Sequence, residues 1–170
     1  PTQIKKGNHQ INFEYGPNRS RYKRIDKNTS SNVIEKTTLY MGNVERITHS
    51  NNQVEFKRYI EGQILVTNDA SGTLTQYLIK DHLGSTELVL NHSTSGDIVA
   101  EDMSFDAWGQ RRKGNNWTPM TTIELMNFDS STTTRGFTGH EMLDEVGLIH
   151  MNGRIYDPRL GRFMQADPFI

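Results

Sequence analysis

Short runs of alternating polar and apolar residues, each closed by a glycine or asparagine turn, govern what this chain can fold into. Residues 10–15 alternate, and Gly16-Pro17-Asn18 reverses the chain before residues 21–25. Residues 37–41 lead into Gly42-Asn43, and residues 44–47 leave it. Residues 54–60 run to Gly62, and residues 64–67 continue beyond. Period-two alternation rich in branched and aromatic residues predicts strands, and the turn residues between them predict hairpins. The unit recurs roughly every 20 residues, as when one hairpin follows another. A tyrosine stands near each turn glycine, at Tyr15/Gly16, Tyr40/Gly42 and Tyr59/Gly62. One hairpin cannot bury its own face, so successive hairpins must join into a continuous sheet. The expected fold class is mainly β: antiparallel β-hairpin repeats forming a curved or spiralling sheet.

Such a strip on its own exposes edges and an apolar face. It is expected to curl into a compact barrel-like form, to self-associate, or to sit within a larger wall. Helical signal is weak. Residues 141–146 predict a turn or so of helix closed by Gly147, and residues 115–134, rich in Thr, Ser and Asn, predict a long loop.

Composition fits a thin core. Apolar residues make up 34% of the 170, and the 14 glycines raise this to about 42%, below the usual range of about 45–50%. A sheet with one solvated face tolerates that better than a two-layer sandwich. The net charge of -1 offers no basic field for nucleic acid or an anionic membrane. With no cysteine, disulfides, thiolate metal sites and a cysteine nucleophile are excluded. No apolar run approaches the roughly 20 residues of a membrane span. Residues 1–6 have no apolar stretch behind them and are not expected to form a signal peptide. The absent initiator methionine leads us to expect a start inside a longer protein, and the apolar Phe169 and Ile170 a continuation.

Five segments in fixed order carry a resemblance. Residues 77–86 contain Tyr77-Leu78 and then Asp81-His82-Leu83-Gly84-Ser85, resembling a "Y-L-x-x-D-H-L-G-S" pattern. Ser104-Phe105-Asp106-Ala107-Trp108-Gly109 is similar to "Y-x-P-F/W-G", and Phe137-Thr138-Gly139-His140-Glu141 to "F-T-G-x-E". Residues 147–158 resemble "G-L-x-x-x-x-x-R-x-Y-D-P", and residues 160–168 resemble "L-G-R-F-x-x-x-D-P". These patterns are those of the Rhs/YD-repeat family, specifically of its repeat-associated core in bacterial polymorphic toxins, which this sequence resembles. Residues 77–170 resemble that core, shortened at its C-terminal end, and residues 1–76 resemble YD-type hairpin repeats.

The resemblance implies a hollow shell of spiralling β-hairpins around a C-terminal toxin, with the core motif sealing that end. It implies export as part of a larger secreted or cell-surface protein. The implied partners are the toxin domain or remaining shell of the same polypeptide, secretion-system components and an immunity protein, with no cofactor. In many members the core is also an aspartyl autoprotease that severs the toxin. An acid protease needs two neighbouring carboxylates, one ionised and one protonated. The family pattern carries one over to Asp167, while Arg154 can orient a carboxylate or stabilise developing charge. The second aspartate belongs to a later "D-P-x-G" segment that this sequence does not contain. Salt bridges and turn caps are the plainer roles for Arg154, Asp157, Arg162 and Asp167.

Other constellations carry less. Asp81, His82 and Ser85 have a turn's spacing, and a nucleophilic triad is recognised by geometry alone. Residues 140–144 resemble a zinc-protease helix, but Asp144 replaces its second histidine. With His150 nearby this leaves an adventitious metal site or a polar loop. Trp108, beside Phe105 and Gly109, is expected to pack in the core between hairpins. Trp108 and Trp117 also leave open a carbohydrate- or surface-binding module. Asn18, Asn91 and Asn116 each begin a glycosylation pattern of little weight in so asparagine-rich a chain.

Overall fold

The computed structural model describes residues 1–128 and 132–166. Its strands fall where the alternation ends in turn residues. Ten of them, β1 (Gln3–Lys6), β2 (His9–Tyr15), β3 (Arg21–Asn28), β4 (Val33–Met41), β5 (Val44–His49), β6 (Val54–Ile60), β7 (Ile64–Asp69), β8 (Gly72–Lys80), β9 (Thr86–Asn91) and β10 (Ile98–Asp102), form one sheet. Strand order follows chain order from β1 to β10, which is what consecutive hairpins produce. The expected antiparallel hairpin fold is therefore present. The sheet is open, because β1 and β10 lie at opposite ends of that order. The barrel-like closure allowed for above does not occur, since the end strands β1 and β10 do not pair with each other.

The chain divides into two compact units, Pro1–Tyr77 and Leu78–Ile170. In the first, strand alternation sorts side chains on to two faces. Ile11 and Phe13 stand opposite Asp26 and Arg24, Arg24 opposite Thr38, and Thr38 opposite Ile47. Glu45 is opposite Lys57, and Leu65 opposite Gln76. Every one of these ten residues is buried. Half of this buried face is charged or amide-bearing, so it must be internally paired. Arg24 donates from Nε to Asp26 Oδ1 at 2.9 Å, and Lys57 Nζ lies 3.1 Å from Glu55. A bulge between Glu14 and Tyr15 breaks the alternation, and the Arg21 guanidinium stacks over Tyr40 at 4.2 Å and Phe13 at 5.4 Å. The other face leaves Met41, Phe56 and Ile60 exposed.

The second unit carries two small sheets. One pairs β11 (Ser104–Phe105) with β12 (Arg111–Arg112). The other has the order β13 (Glu141–Leu143), β14 (Leu148–Met151), β15 (Arg154–Asp157), β16 (Arg162–Phe163). Two expectations are corrected here. Residues 141–146 are not helical: β13 pairs with β14, Glu141 opposite His150 and Leu143 opposite Leu148, so long-range pairing overrides local helix preference. The stretch 115–134 is not wholly irregular either. It contains α1 (Thr122–Met126), closed by a capping box in which Thr121 and Glu124 bond each other's backbone N–H.

Candidate functional site

Two turns of the second unit are built alike, and both come from segments that resemble the core motif. Asp81 Oδ1 accepts from the N–H groups of Leu83 and Ser85, and Asp106 Oδ1 from those of Trp108 and Gln110. In each the backbone closes from the first residue to the fifth and back from the fourth to the first. Gly84 (φ 84°) and Gly109 (φ 88°) occupy the fourth position, a left-handed conformation costly for a side chain. Burial pushes the Asp81 carboxyl up, yet the N–H groups of Ser85 and Leu83 hold it below its ordinary value. Asp81 is thus spent on the turn. Ser85 is buried and its Oγ accepts from the Thr138 N–H at 3.1 Å, a structural role that ties this turn to the next segment.

Between these turns sits the 3-10 turn Phe137–Gly139. Thr86 N–H donates to Gly136 O at 3.2 Å. The Phe137 ring covers Gly109 so closely that a Cβ there would lie 2.6 Å from it. It meets Phe105 at 5.9 Å between centroids. Gly136 in turn lies under Phe105 and Met142. Met142, Ile149 and Tyr156, in register across β13, β14 and β15, form a buried cluster joined by Phe105, Phe137 and Met151. Tyr156 meets Phe163 edge-on at 5.5 Å, and Trp108 lies against Gly161. All five motif segments therefore converge on one packing knot.

An ion pair closes it. Arg111 donates from Nε to Asp144 Oδ1 at 2.7 Å and from Nη2 to Oδ2 at 3.0 Å, both side chains buried. The guanidinium also stacks over Phe128 at 4.3 Å and Phe105 at 5.2 Å. A two-point pair of this kind fixes geometry as well as charge. Sequence reading missed it because the partners are 33 residues apart and no local pattern links them. Nearby, burial and then the Arg135 charge lower the His140 pKa. Burial and the charges of Asp106 and Asp157 raise that of Tyr156.

Of the residues carried over for self-cleavage, Asp167 lies outside the described residues. Arg154 stacks its guanidinium on Phe163 at 3.7 Å. The segment after β16 runs beside β15, with Met164 N–H donating to Ile155 O and Gln165 Oε1 accepting from Ile155 N–H, each at 2.8 Å. The motif segments bearing Arg154 and leading to Asp167 are thus adjacent. Asp157 is buried and accepts from the N–H groups of Arg159 and Leu160, a turn cap. The zinc-type arrangement at residues 140–144 is absent, because strand geometry replaces the helix it needs. Among the described residues no three His, Asp or Glu side chains group to hold a metal, and no helix is long and apolar enough to cross a membrane. Trp108, expected in the core, is 61% exposed, since its turn points it outward while Phe137 fills the inner side.

Comparison with known proteins agrees with this architecture. No family model matches the chain. The salivary gland surface protein 1 of Aedes aegypti is 28% identical over 193 aligned residues, covering 92% of this chain and 5% of that protein. Among solved structures, the TcdB2-TccC3 crystal structure superposes over 97% of this chain with a TM-score of 0.73 at 20% identity. A Tc holotoxin pore of Photorhabdus luminescens superposes over 99% with a TM-score of 0.71 at 19% identity. The chain spans only 8% of either solved chain. It shares the fold of a section of these Tc toxin chains.

Proposed function

We propose that this chain is a section of an Rhs-type shell, with residues 1–76 as repeat wall and residues 77–170 as the core that locks its end. In this reading the shell encloses or presents a C-terminal effector of the same polypeptide and is exported as part of a secreted or surface protein. The remaining shell and the effector are its partners. The observation that carries this is the unbroken run of ten hairpin strands leading into a knot that consumes all five motif segments. A motif spent on turn caps, ring stacking and a buried ion pair reads as a lock.

A second reading adds self-cleavage, with Asp167 as one carboxylate and Arg154 as its orienting cation. The adjacency of the β15 segment to the one leading to Asp167 favours it. One preparation tests both: the protein expressed with its native flanking sequence, wild type beside Asp167→Asn. The shell reading expects the downstream polypeptide to resist added protease until the protein is unfolded, and its immediate digestion under native conditions would sink it. Self-cleavage expects a cut wild type and an uncut variant by intact mass, and two intact proteins would end that reading alone.

A further inference from the structure

The end of β16 departs from strand pairing at one defined bond. Tyr156 stands opposite Phe163 and Asp157 opposite Arg162, so Met164 is next in line with Ile155. An antiparallel pair at that point exchanges two backbone hydrogen bonds. Only one of them forms, Met164 N–H donating to Ile155 O at 2.8 Å. The Ile155 N–H donates instead to the side-chain Oε1 of Gln165, also at 2.8 Å. Ile155 is buried, and a backbone N–H there must find an acceptor. The Gln165 carboxamide supplies it in place of the Met164 carbonyl, so β16 ends at Phe163 without orphaning the strand beside it.

The register shows what this exit avoids. Pairing continued from Phe163 would carry Asp167 opposite Asn152, in the turn between β14 and β15, with its backbone tied into the sheet. In the self-cleavage reading, on which this inference rests, Asp167 must instead face a second carboxylate. One carboxylate takes a proton from water as the water oxygen adds to the scissile carbonyl carbon. The other gives its proton to the amide nitrogen as the C–N bond breaks. We propose that Gln165 is the positioning residue for this step. Its carboxamide sets where the segment bearing Asp167 leaves β15, at the level of Arg154. Gln165 precedes Asp167 by two residues. A neutral amide makes the bond without bringing a like charge towards the reacting pair, which a glutamate would do.

The test uses the protein expressed with its native flanking sequence, as wild type, Gln165→Ala and Gln165→Glu, with cleavage followed by intact mass across pH. Gln165→Ala removes the acceptor of the Ile155 N–H and is expected to slow cleavage by roughly tenfold to a hundredfold. Gln165→Glu, whose carboxylate accepts the same bond, is expected to recover most of that rate. Its pH profile is expected to move upwards, since an added carboxylate opposes loss of the proton that the pair shares. A merely structural glutamine would leave the profile in place. Hydrogen exchange reports on folding: the Ile155 amide should exchange faster in Gln165→Ala, while residues 148–151 of β14 stay protected. Cleavage of Gln165→Ala at the wild-type rate, or an unmoved profile in Gln165→Glu, overturns the proposal and leaves self-cleavage standing. Slower cleavage accompanied by lost protection of β14 overturns it too, as a folding defect. An uncut wild type ends the self-cleavage reading and the proposal together.

Discussion

Asp144 and Arg111 show how much of the second unit hangs on single side chains. Removing one partner of a buried pair strands the other charge, which typically costs about 3–5 kcal/mol. Asp144→Asn should therefore lower stability to denaturant by that order. Replacing both with apolar residues, Arg111→Met with Asp144→Leu, should cost markedly less, because no charge is left behind. Equal losses in the single and double variants, by urea unfolding followed at the tryptophans, would show that the pair is not what holds the knot. The sequence made other residues easier to read. Asp81-His82-Leu83-Gly84-Ser85 announces a turn through its aspartate and glycine, and the structure uses both in that way. The Arg111–Asp144 pair leaves no such mark, because its geometry exists only once residues far apart in sequence have met.

Elements built on alternation were legible, and elements decided by long-range partners were not. Strands β2 to β7 lie where the period-two runs and turn glycines put them. By contrast Glu141-Met142-Leu143 is a good local helix former drawn into a sheet by β14. The capping box of α1 was present in the sequence as Thr121 and Glu124, but it was masked by the polar residues around it. Glu124 is held at about 2, first by Lys113 and then by Thr121. Its contribution to the cap is therefore complete above its ordinary value of 4.5 and lost only as pH falls towards about 2. His140 acts in a higher range. Its folded pKa is depressed, so the unfolded chain binds the proton more readily. The neutral form's stabilisation is complete above the ordinary 6.5 and declines as pH falls through it towards the folded value. Thermal melts from about pH 7.5 to about pH 5 should show a fall in Tm that His140→Gln reduces. An unchanged slope in the variant would remove His140 from the account.

At the scale of the whole molecule, the low apolar content and the open sheet have one explanation. A wall of consecutive hairpins has no second layer of its own, so each strand relies on its neighbours in sequence. Its buried face can then carry Arg24, Asp26, Glu45, Lys57 and Gln76, provided they pair with one another. Composition alone signalled a thin core, and periodicity signalled hairpins. Whether the strip closed or stayed open depended on contacts that neither encodes. Among the described residues the motif segments take packing roles, in turn caps, ring contacts and a buried ion pair.

Electron cryomicroscopy of the native full-length protein tests the central claim most directly. The account predicts that β1 to β10 are consecutive strands of a longer sheet that encloses a volume holding polypeptide. A map in which these strands pair otherwise, or in which nothing is enclosed, would contradict it.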